Sequence, residues 1–520
     1  MNNLKSRMWR HGRRVVGAVE DKEFHYWTTL SRGFVVILLL LATGGWIAPV
    51  VVVAAPATPT GGATFNITWG VPPSCETPPA EAVTALDYAA SLWGTWISST
   101  VPIEVTACWK PNPCGSNALG CGGPMAYGMD FPNAPFARTN YPIALANALS
   151  GRDHLPGIED ITLEFNANIA WSFELTPTLR MHSLSSGQDF VTIALHELAH
   201  GLGFIGNMYE RYNVGFCLMY CPTPYDQLAV DSEGVVLLSY LTPDPRELAA
   251  RLRSDANFGG ANTIVANSGT AAKLYAPGYW SASSLSHLDE ATYQYTENSL
   301  MTPVYYSGAT RHPGPVTLGI FQDMGWLRAD GVPNVATSGP WTVGVGNSAV
   351  FSGTLIWPAY TGQPITYTWK AADQLTVTHP SLTATDNVTF TWNTPGEKRI
   401  TLTATDGSAS ASATRAALVY DVTVSGPALG QTNHAYTFDA EVTLYTLPVT
   451  WTWEATDQPM VTHPNQYQSD SVTLTWLTPG AKTITITATI GESPAQAVHT
   501  IAIEGIVFNQ FVFLPLVQRQ

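Results

Sequence analysis

A chain of 520 residues is too long for one ordinary domain. Charged residues are only 12% of it against 45% hydrophobic, and 43 Gly with 37 Pro suit strand-rich exported modules better than a helical cytosolic protein or a disordered chain. A formal net charge of −15 repels nucleic-acid phosphates and anionic lipid, which excludes DNA or RNA as a partner.

In chain order, a basic stretch with Arg7, Arg10, Arg13, Arg14 and Arg32 precedes an apolar run from Phe34 to Ala55. The run ends in Val53-Ala54-Ala55, a small-residue edge of the kind a signal peptidase cuts, so residues 1–55 read as an export signal. An uncleaved membrane anchor is the alternative, because the run has the length to span a bilayer, although Gly44, Gly45 and Pro49 would weaken such a helix. Phe65–Trp69 follows as a strand. Val83, Leu86, Ala90, Trp93 and Ile97 lie at helical spacing and predict an amphipathic helix over Ala80–Ile97. The alternating runs from Val101 and Ile161 read as further strands.

From Pro333 the texture changes to short alternating runs rich in Thr and Val. This part is a repeat: Trp369 to Pro380 matches Trp453 to Pro464, and Thr391-Trp-Asn-Thr-Pro-Gly396 matches Thr475-Trp-Leu-Thr-Pro-Gly480, at one constant offset with no gap between the two matches. Short strands repeating at this period predict two tandem β-sandwich modules, similar to immunoglobulin-like or PKD-like domains of exported proteins. The repeated His379 and His463 each stand alone beside a proline and read as structural. The end of the chain, from Val512, is apolar but too short to span a membrane.

All six cysteines (Cys75, Cys108, Cys114, Cys121, Cys217 and Cys221) follow the export segment. An even number in an exported chain reads as disulfides, and no C-x-x-C pair suggests a cysteine zinc site. Cys217 and Cys221 are expected to close one small loop. The pairing of the other four stays open.

The segment that carries chemistry is Gln188-Asp-Phe-Val-Thr-Ile-Ala-Leu-His-Glu-Leu-Ala-His-Gly-Leu-Gly-Phe204, which contains H-E-x-x-H. Residues four apart on a helix are about 40° apart in azimuth, so His196 and His200 project from one face towards one ion. Zinc suits two neutral imidazoles, and Glu197 beside them can take a proton from water that the metal acidifies. Phe190, Ile193, Ala194 and Leu198 make the helix a buried one, and two buried histidines with a buried glutamate are costly unless they share a partner.

A third ligand must come from elsewhere. Ten residues after His196 stands Gly206, which has no side chain, and Tyr220 stands where a thermolysin-like enzyme has glutamate. The leading candidate is His287 in Leu285-Ser-His-Leu-Asp-Glu290, followed by Asn298-Ser-Leu-Met-Thr-Pro303. Asp226, Asp231, His182 and His312 are its rivals. Tyr305 and Tyr306 could donate to an oxyanion, or could simply pack.

The order H-E-x-x-H-x-x-G-F, a long insertion, a lone histidine and then Leu-Met-x-Pro resembles the leishmanolysin-like metallopeptidases and a set of exported bacterial relatives. The resemblance runs from Phe65 to Trp326. It implies that His196, His200 and His287 bind Zn2+, that Glu197 is the general base, and that Met301 forms an apolar floor beneath the imidazoles. The gap between His200 and His287 is longer than the parasite enzymes lead one to expect, and Asn298-Ser299 departs from their usual Glu-Leu; both bear on substrate preference more than on catalysis. The first strand is expected so soon after the export segment that a propeptide with a zinc-blocking cysteine is not expected.

Together these readings predict an α+β, metzincin-like zincin domain over residues 56–332. Two all-β immunoglobulin-like sandwich modules over 333–422 and 423–506, and a tail over 507–520, would follow. The expected function is that of a secreted zinc endopeptidase acting on proteins or peptides. The sandwiches would serve as spacers or bind an extracellular polymer or surface protein, and membrane contact would arise only if the N-terminal segment stayed uncleaved. Two other readings use the same residues: an inactive adhesion protein, which would have no chemical need for Glu197, and a zinc amidase acting on cell-wall peptides. No EF-hand-like or repeat-type calcium loop is found.

Overall fold

In the computed structural model, strand Phe65–Trp69 (β1) lies parallel to Ile103–Lys110 (β2), which lies parallel to Ile161–Asn166 (β4). Gly120–Pro124 (β3) closes the order β1-β2-β4-β3 as an antiparallel edge strand, with Gly120 opposite Phe165. The structure describes residues 61–505 apart from 116–117, 133, 177–186, 243, 306–308, 357–363, 408, 444–447 and 492. The expected export segment, the expected C-terminal tail, His182 and Tyr306 therefore lie outside the described residues.

Helix Ala80–Trp96 (α1) buries Ala82, Leu86, Ala89 and Trp93, one stripe at helical spacing. That stripe faces helix Phe190–Gly201 (α2), and the Trp93 indole Nε1 donates to the Leu195 carbonyl at 3.1 Å. The Trp326 indole donates to the Leu202 carbonyl at 3.0 Å, just past the other end of α2. Two buried indoles thus hold α2 through its own carbonyls, and an indole N–H in an apolar core needs such a partner.

Residues 334–420 form a three-stranded sheet (Asn334–Ser338, Ser348–Ile356, Thr385–Thr391) and a five-stranded sheet whose central strands are Gly396–Thr405 and Ile365–Ala371. Phe351, Trp369, Trp392 and Leu402 from both sheets share one core. Residues 422–504 repeat this arrangement with the same strand order. Ile365–Ala371 recurs one repeat later as Val449–Ala455, around a core with Phe438, Trp453, Trp476 and Ile486. Inside each region one aspartate ties the sheets together. Asp386 accepts from the Trp369 indole at 2.7 Å and from His379 at 2.9 Å, and Asp470 accepts from the Trp453 indole and from His463, both at 2.7 Å.

The fold class is a correction to the sequence reading. Strand accounts for 41% of the described residues and helix for 20%, in many small sheets, and no clear α+β zincin domain stands apart among them. Two physical reasons are visible. Several strands of the expected α+β domain are only two residues long, such as Ile97–Ser98 paired with Leu327–Arg328 and Ala229–Val230 paired with Asn257–Phe258. In addition, the first β region is continuous with the helical part: Ala416 is buried in the same core as α1 and α2, and its N–H donates to the Pro135 carbonyl at 3.0 Å.

Three disulfides cross-link the part before residue 222: Cys75–Cys108, Cys114–Cys121 and the small loop Cys217–Cys221. They are the covalent signature of an oxidising compartment. Among the described residues no helix is long and apolar enough to cross a membrane.

Candidate metal centre

Helix α2 begins at Asp189, whose carboxylate accepts the Thr192 N–H at 2.8 Å as an N-cap. The same carboxylate takes a two-pronged grip from Arg311, Nη1 to Oδ1 at 2.7 Å and Nη2 to Oδ2 at 2.9 Å. Arg311 also donates from Nη2 to the Glu174 carbonyl at 2.6 Å, so one guanidinium ties three segments at the head of the helix. From this fixed start, His196 and His200 fall on one face one turn apart.

The structure brings His196, His200 and His287 together: one ring nitrogen from each lies within 4.8 Å of the others. All three Nδ1 atoms are spoken for. His196 Nδ1 donates to the Leu300 carbonyl at 2.7 Å, His200 Nδ1 to the Phe204 carbonyl at 2.7 Å, and His287 Nδ1 to the Ser283 carbonyl at 2.9 Å. A carbonyl can only accept, so each Nδ1 carries the proton and each Nε2 keeps a free lone pair. The Nε2 atoms of His196 and His200 stand 3.1 Å apart. Two lone pairs at that distance repel unless a cation lies between them. This is a donor set that fits a divalent metal with a taste for imidazole, each ligand oriented by a second hydrogen bond.

The electrostatics agree. Burial lowers the His196 imidazole below its ordinary value. Burial, with His196 and His287 as neighbours, holds His200 well below it. Burial and His196 bring His287 down to about 3. Neutral imidazole is the ligand form. Burial pushes the Glu197 carboxyl up to about 8, against the pull of the Gly122 N–H, which donates to it.

Glycine strand β3 lies directly over this glutamate. A Cβ on Gly122 would meet the Glu197 carbonyl oxygen at 2.3 Å, and one on Gly120 would meet Glu197 Cγ at 3.3 Å. With Thr192, Ser283, Leu300 and Tyr305, these residues line an open cleft of ≈ 960 Å³ that contains all three histidines and Glu197. Sequence reasoning passed over β3; its signal was Gly120-Cys-Gly-Gly-Pro124, a strand almost without side chains, which marks close backbone approach.

The rivals for a third ligand stand elsewhere. Asp226 is saturated by the N–H groups of Asn207 (2.8 Å) and Thr223 (2.9 Å) in a capping box, and burial nevertheless pushes it up to about 6. Asp231 accepts from Glu233 and Val235 N–H, both at 2.9 Å, and from the Tyr240 hydroxyl at 2.7 Å. His312 accepts the Gly314 N–H at 2.9 Å and packs against Trp96. The Tyr305 hydroxyl faces the Asp189 N–H at 3.2 Å on the cleft wall, and Tyr220 stacks on Tyr127. Met301 is fully buried, and its segment acts through carbonyls: Leu300 holds His196, and Met301 accepts the Leu288 N–H at 2.8 Å next to His287.

No family model matches the chain, and no curated protein matches it. Among solved structures it is similar to the sulfur carrier protein SoxY from Chlorobium limicola f thiosulfatophilum, at 11% identity over 16% of this chain and 78% of that one, with a TM-score of 0.14. It is also similar to a marsupial T cell receptor, at 10% identity over 36% and 77% of the two chains, with a TM-score of 0.16. Likenesses at these scores carry no argument about the chain.

Proposed function

We propose that the chain is an exported zinc endopeptidase of the leishmanolysin-like kind, with His196, His200 and His287 holding the metal and Glu197 as general base. The observation that carries this reading is the convergence of three neutral Nε2 lone pairs beside one buried carboxyl. Zinc held there supplies a Lewis acid for a carbonyl oxygen and makes water acidic enough to attack near neutral pH. A cation held by the three imidazoles would favour the ionised form of Glu197, whose carboxylate oxygen would then take a proton from the attacking water and pass it to the departing amine nitrogen. Strand β3 is a sheet edge on the cleft wall, so an extended peptide can add to it through main-chain hydrogen bonds. The six disulfide-bonded cysteines support action outside the cytosol.

The test is zinc content and casein cleavage in the wild type, Glu197→Gln and His287→Ala. Glu197→Gln should retain one zinc while cleavage falls about 10²–10⁴-fold, the usual share of a general base. His287→Ala should lose both metal affinity and cleavage. A wild type that holds zinc yet cleaves no protein offered favours the adhesion or amidase reading, and one that binds no zinc overturns the proposal.

A further inference from the structure

The third histidine does not sit on a helix. His287 lies in a loop, and the residue two before it, Leu285, has a φ of +67°. A leucine adopts that left-handed conformation only where its surroundings hold it there. Leu285 is fully buried, and its side chain fills the space that the missing side chain of Gly206 leaves. Its carbonyl accepts the hydroxyl of the fully buried Tyr225 at 2.9 Å. Ser286 Oγ accepts the Gly206 N–H at 3.1 Å. The short helix Pro224–Leu228 that carries Tyr225 is therefore one support of the loop, beside Tyr275, whose N–H donates to the His287 carbonyl at 2.8 Å and whose carbonyl accepts the Leu285 N–H at 3.0 Å.

That helix is itself gripped from the first β region. Arg399, on strand Gly396–Thr405, donates from Nη1 to the Gln227 carbonyl and from Nη2 to Gln227 Oε1 at 2.9 Å. Its guanidinium lies 5.6 Å from the Phe136 ring centre, and Gln227 Nε2 donates to Thr139 Oγ1 at 3.0 Å. Gln227 is buried with the arginine over it. The repeat supplies an internal comparison. Lys398 has its counterpart in Lys482 of the second copy, but the counterpart of Arg399 is Thr483. The arginine is particular to the β region that touches the helix.

We infer that Arg399 is a positioning residue for the metal centre: through Gln227, Tyr225 and Leu285 the first β region sets His287 against His196 and His200. This rests on the reading of the three histidines as a metal site. The first β region is then a structural part of the centre rather than a spacer.

The experiment uses the full chain as wild type, Arg399→Ala, Tyr225→Phe and the double variant. Zinc affinity is read by competition with a chelator, and the Co2+ form by its visible absorption, which reports the number and arrangement of ligands. Each single variant should weaken zinc binding about 10-fold or more, as loss of an outer support does. Both should alter the Co2+ spectrum in the same sense, and the double should lose less than the product of the singles, because the two residues act along one path. Should Arg399→Ala not fold, Arg399→Lys carries the same expectation, since lysine keeps the charge and loses the two-pronged grip. Wild-type affinity and spectrum in a folded Arg399 variant overturn the inference, and so does a Tyr225→Phe that behaves as wild type. A wild type that binds neither ion removes the metal reading itself, and the inference falls with it.

Discussion

The two β regions, 334–420 and 422–504, are near copies inside and different outside. Trp369 and Trp453, Trp392 and Trp476, His379 and His463, and Lys398 and Lys482 correspond at one constant spacing, and the Asp–His–Trp ties have the same partners in both. The surface positions that meet the site-bearing part have diverged. Arg399, Ser412 and Ala416 in the first region correspond to Thr483, Gln496 and Thr500 in the second. In the first, the Ser412 carbonyl and N–H pair with the Asn262 side chain at 2.8 and 3.0 Å, and the Ala416 N–H bonds Pro135. The second is joined to the first, where the Thr342 hydroxyl donates to the Ile490 carbonyl at 2.7 Å and the Tyr420 hydroxyl to the Ala488 carbonyl at 3.1 Å. A shared interior is what a repeated core requires, and the outer face decides whether a copy is a buttress or an extension.

The largest effect should come from the core. Trp369→Ala and Trp453→Ala should each cost about 3–5 kcal/mol locally, as deletion of a buried indole does. Calorimetry should separate them. Trp369→Ala should lower the transition that includes α2, and Trp453→Ala should lower only the transition of the second region. Equal effects of both on one transition would mean that the second region is as firmly coupled as the first.

A smaller, pH-dependent effect should appear only at the first region. Asp323 accepts the Asn262 N–H and amide at 2.9 Å each and the Thr263 N–H at 2.8 Å, and Asn262 is the residue that holds Ser412. Burial pushes this carboxyl up to about 6 from the usual 3.8. Because the folded value is the higher one, its contribution is full below 3.8 and is lost as pH rises through about 6. The span is about 3 kcal/mol for a shift of this size. Asp323→Asn should lessen the change in melting temperature between acid and neutral pH, leaving the share of Asp226, which burial raises equally, and the transition of the second region should not respond. A slope unchanged by the substitution would detach Asp323 from the joint.

The smallest effect is a test of symmetry. Asp386→Ala and Asp470→Ala each leave a buried indole N–H without its acceptor, at about 1–3 kcal/mol. Chemical denaturation should find the two losses equal, since the partners correspond and both indole bonds measure 2.7 Å. A clear inequality would show that the docked copy shares strain with its neighbour.

Much of this was legible in the residues. His196, Glu197 and His200 announce themselves by spacing, and His287 by the Leu300-Met-Thr-Pro303 that follows it. The repeat could be read from Trp369 and Trp453. The short bridges before residue 332, such as Ala229–Val230, were not legible, because a strand two residues long has no periodicity to detect. Nor was the joint: Arg399 sits in an ordinary alternating strand, and its partner Gln227 is 172 residues away. The pairing of Cys75 with Cys108 goes with the bridge between Glu76 and Trp109, and Cys114 with Cys121 closes the short turn that leads into β3, neither of which spacing alone carries.

Strand β3 has a consequence for how this sequence can drift. At Gly122 any side chain would collide with the backbone of the helix that carries Glu197, whereas a Cβ on Gly123 would meet nothing within 4 Å. Two neighbouring glycines therefore face opposite selection. One is fixed by the thickness of a methyl group, and the other is free to become any residue that tolerates an extended chain. Among descendants of this chain, variation at 123 beside invariance at 122 would be the imprint of a strand pressed against the backbone of a neighbouring helix.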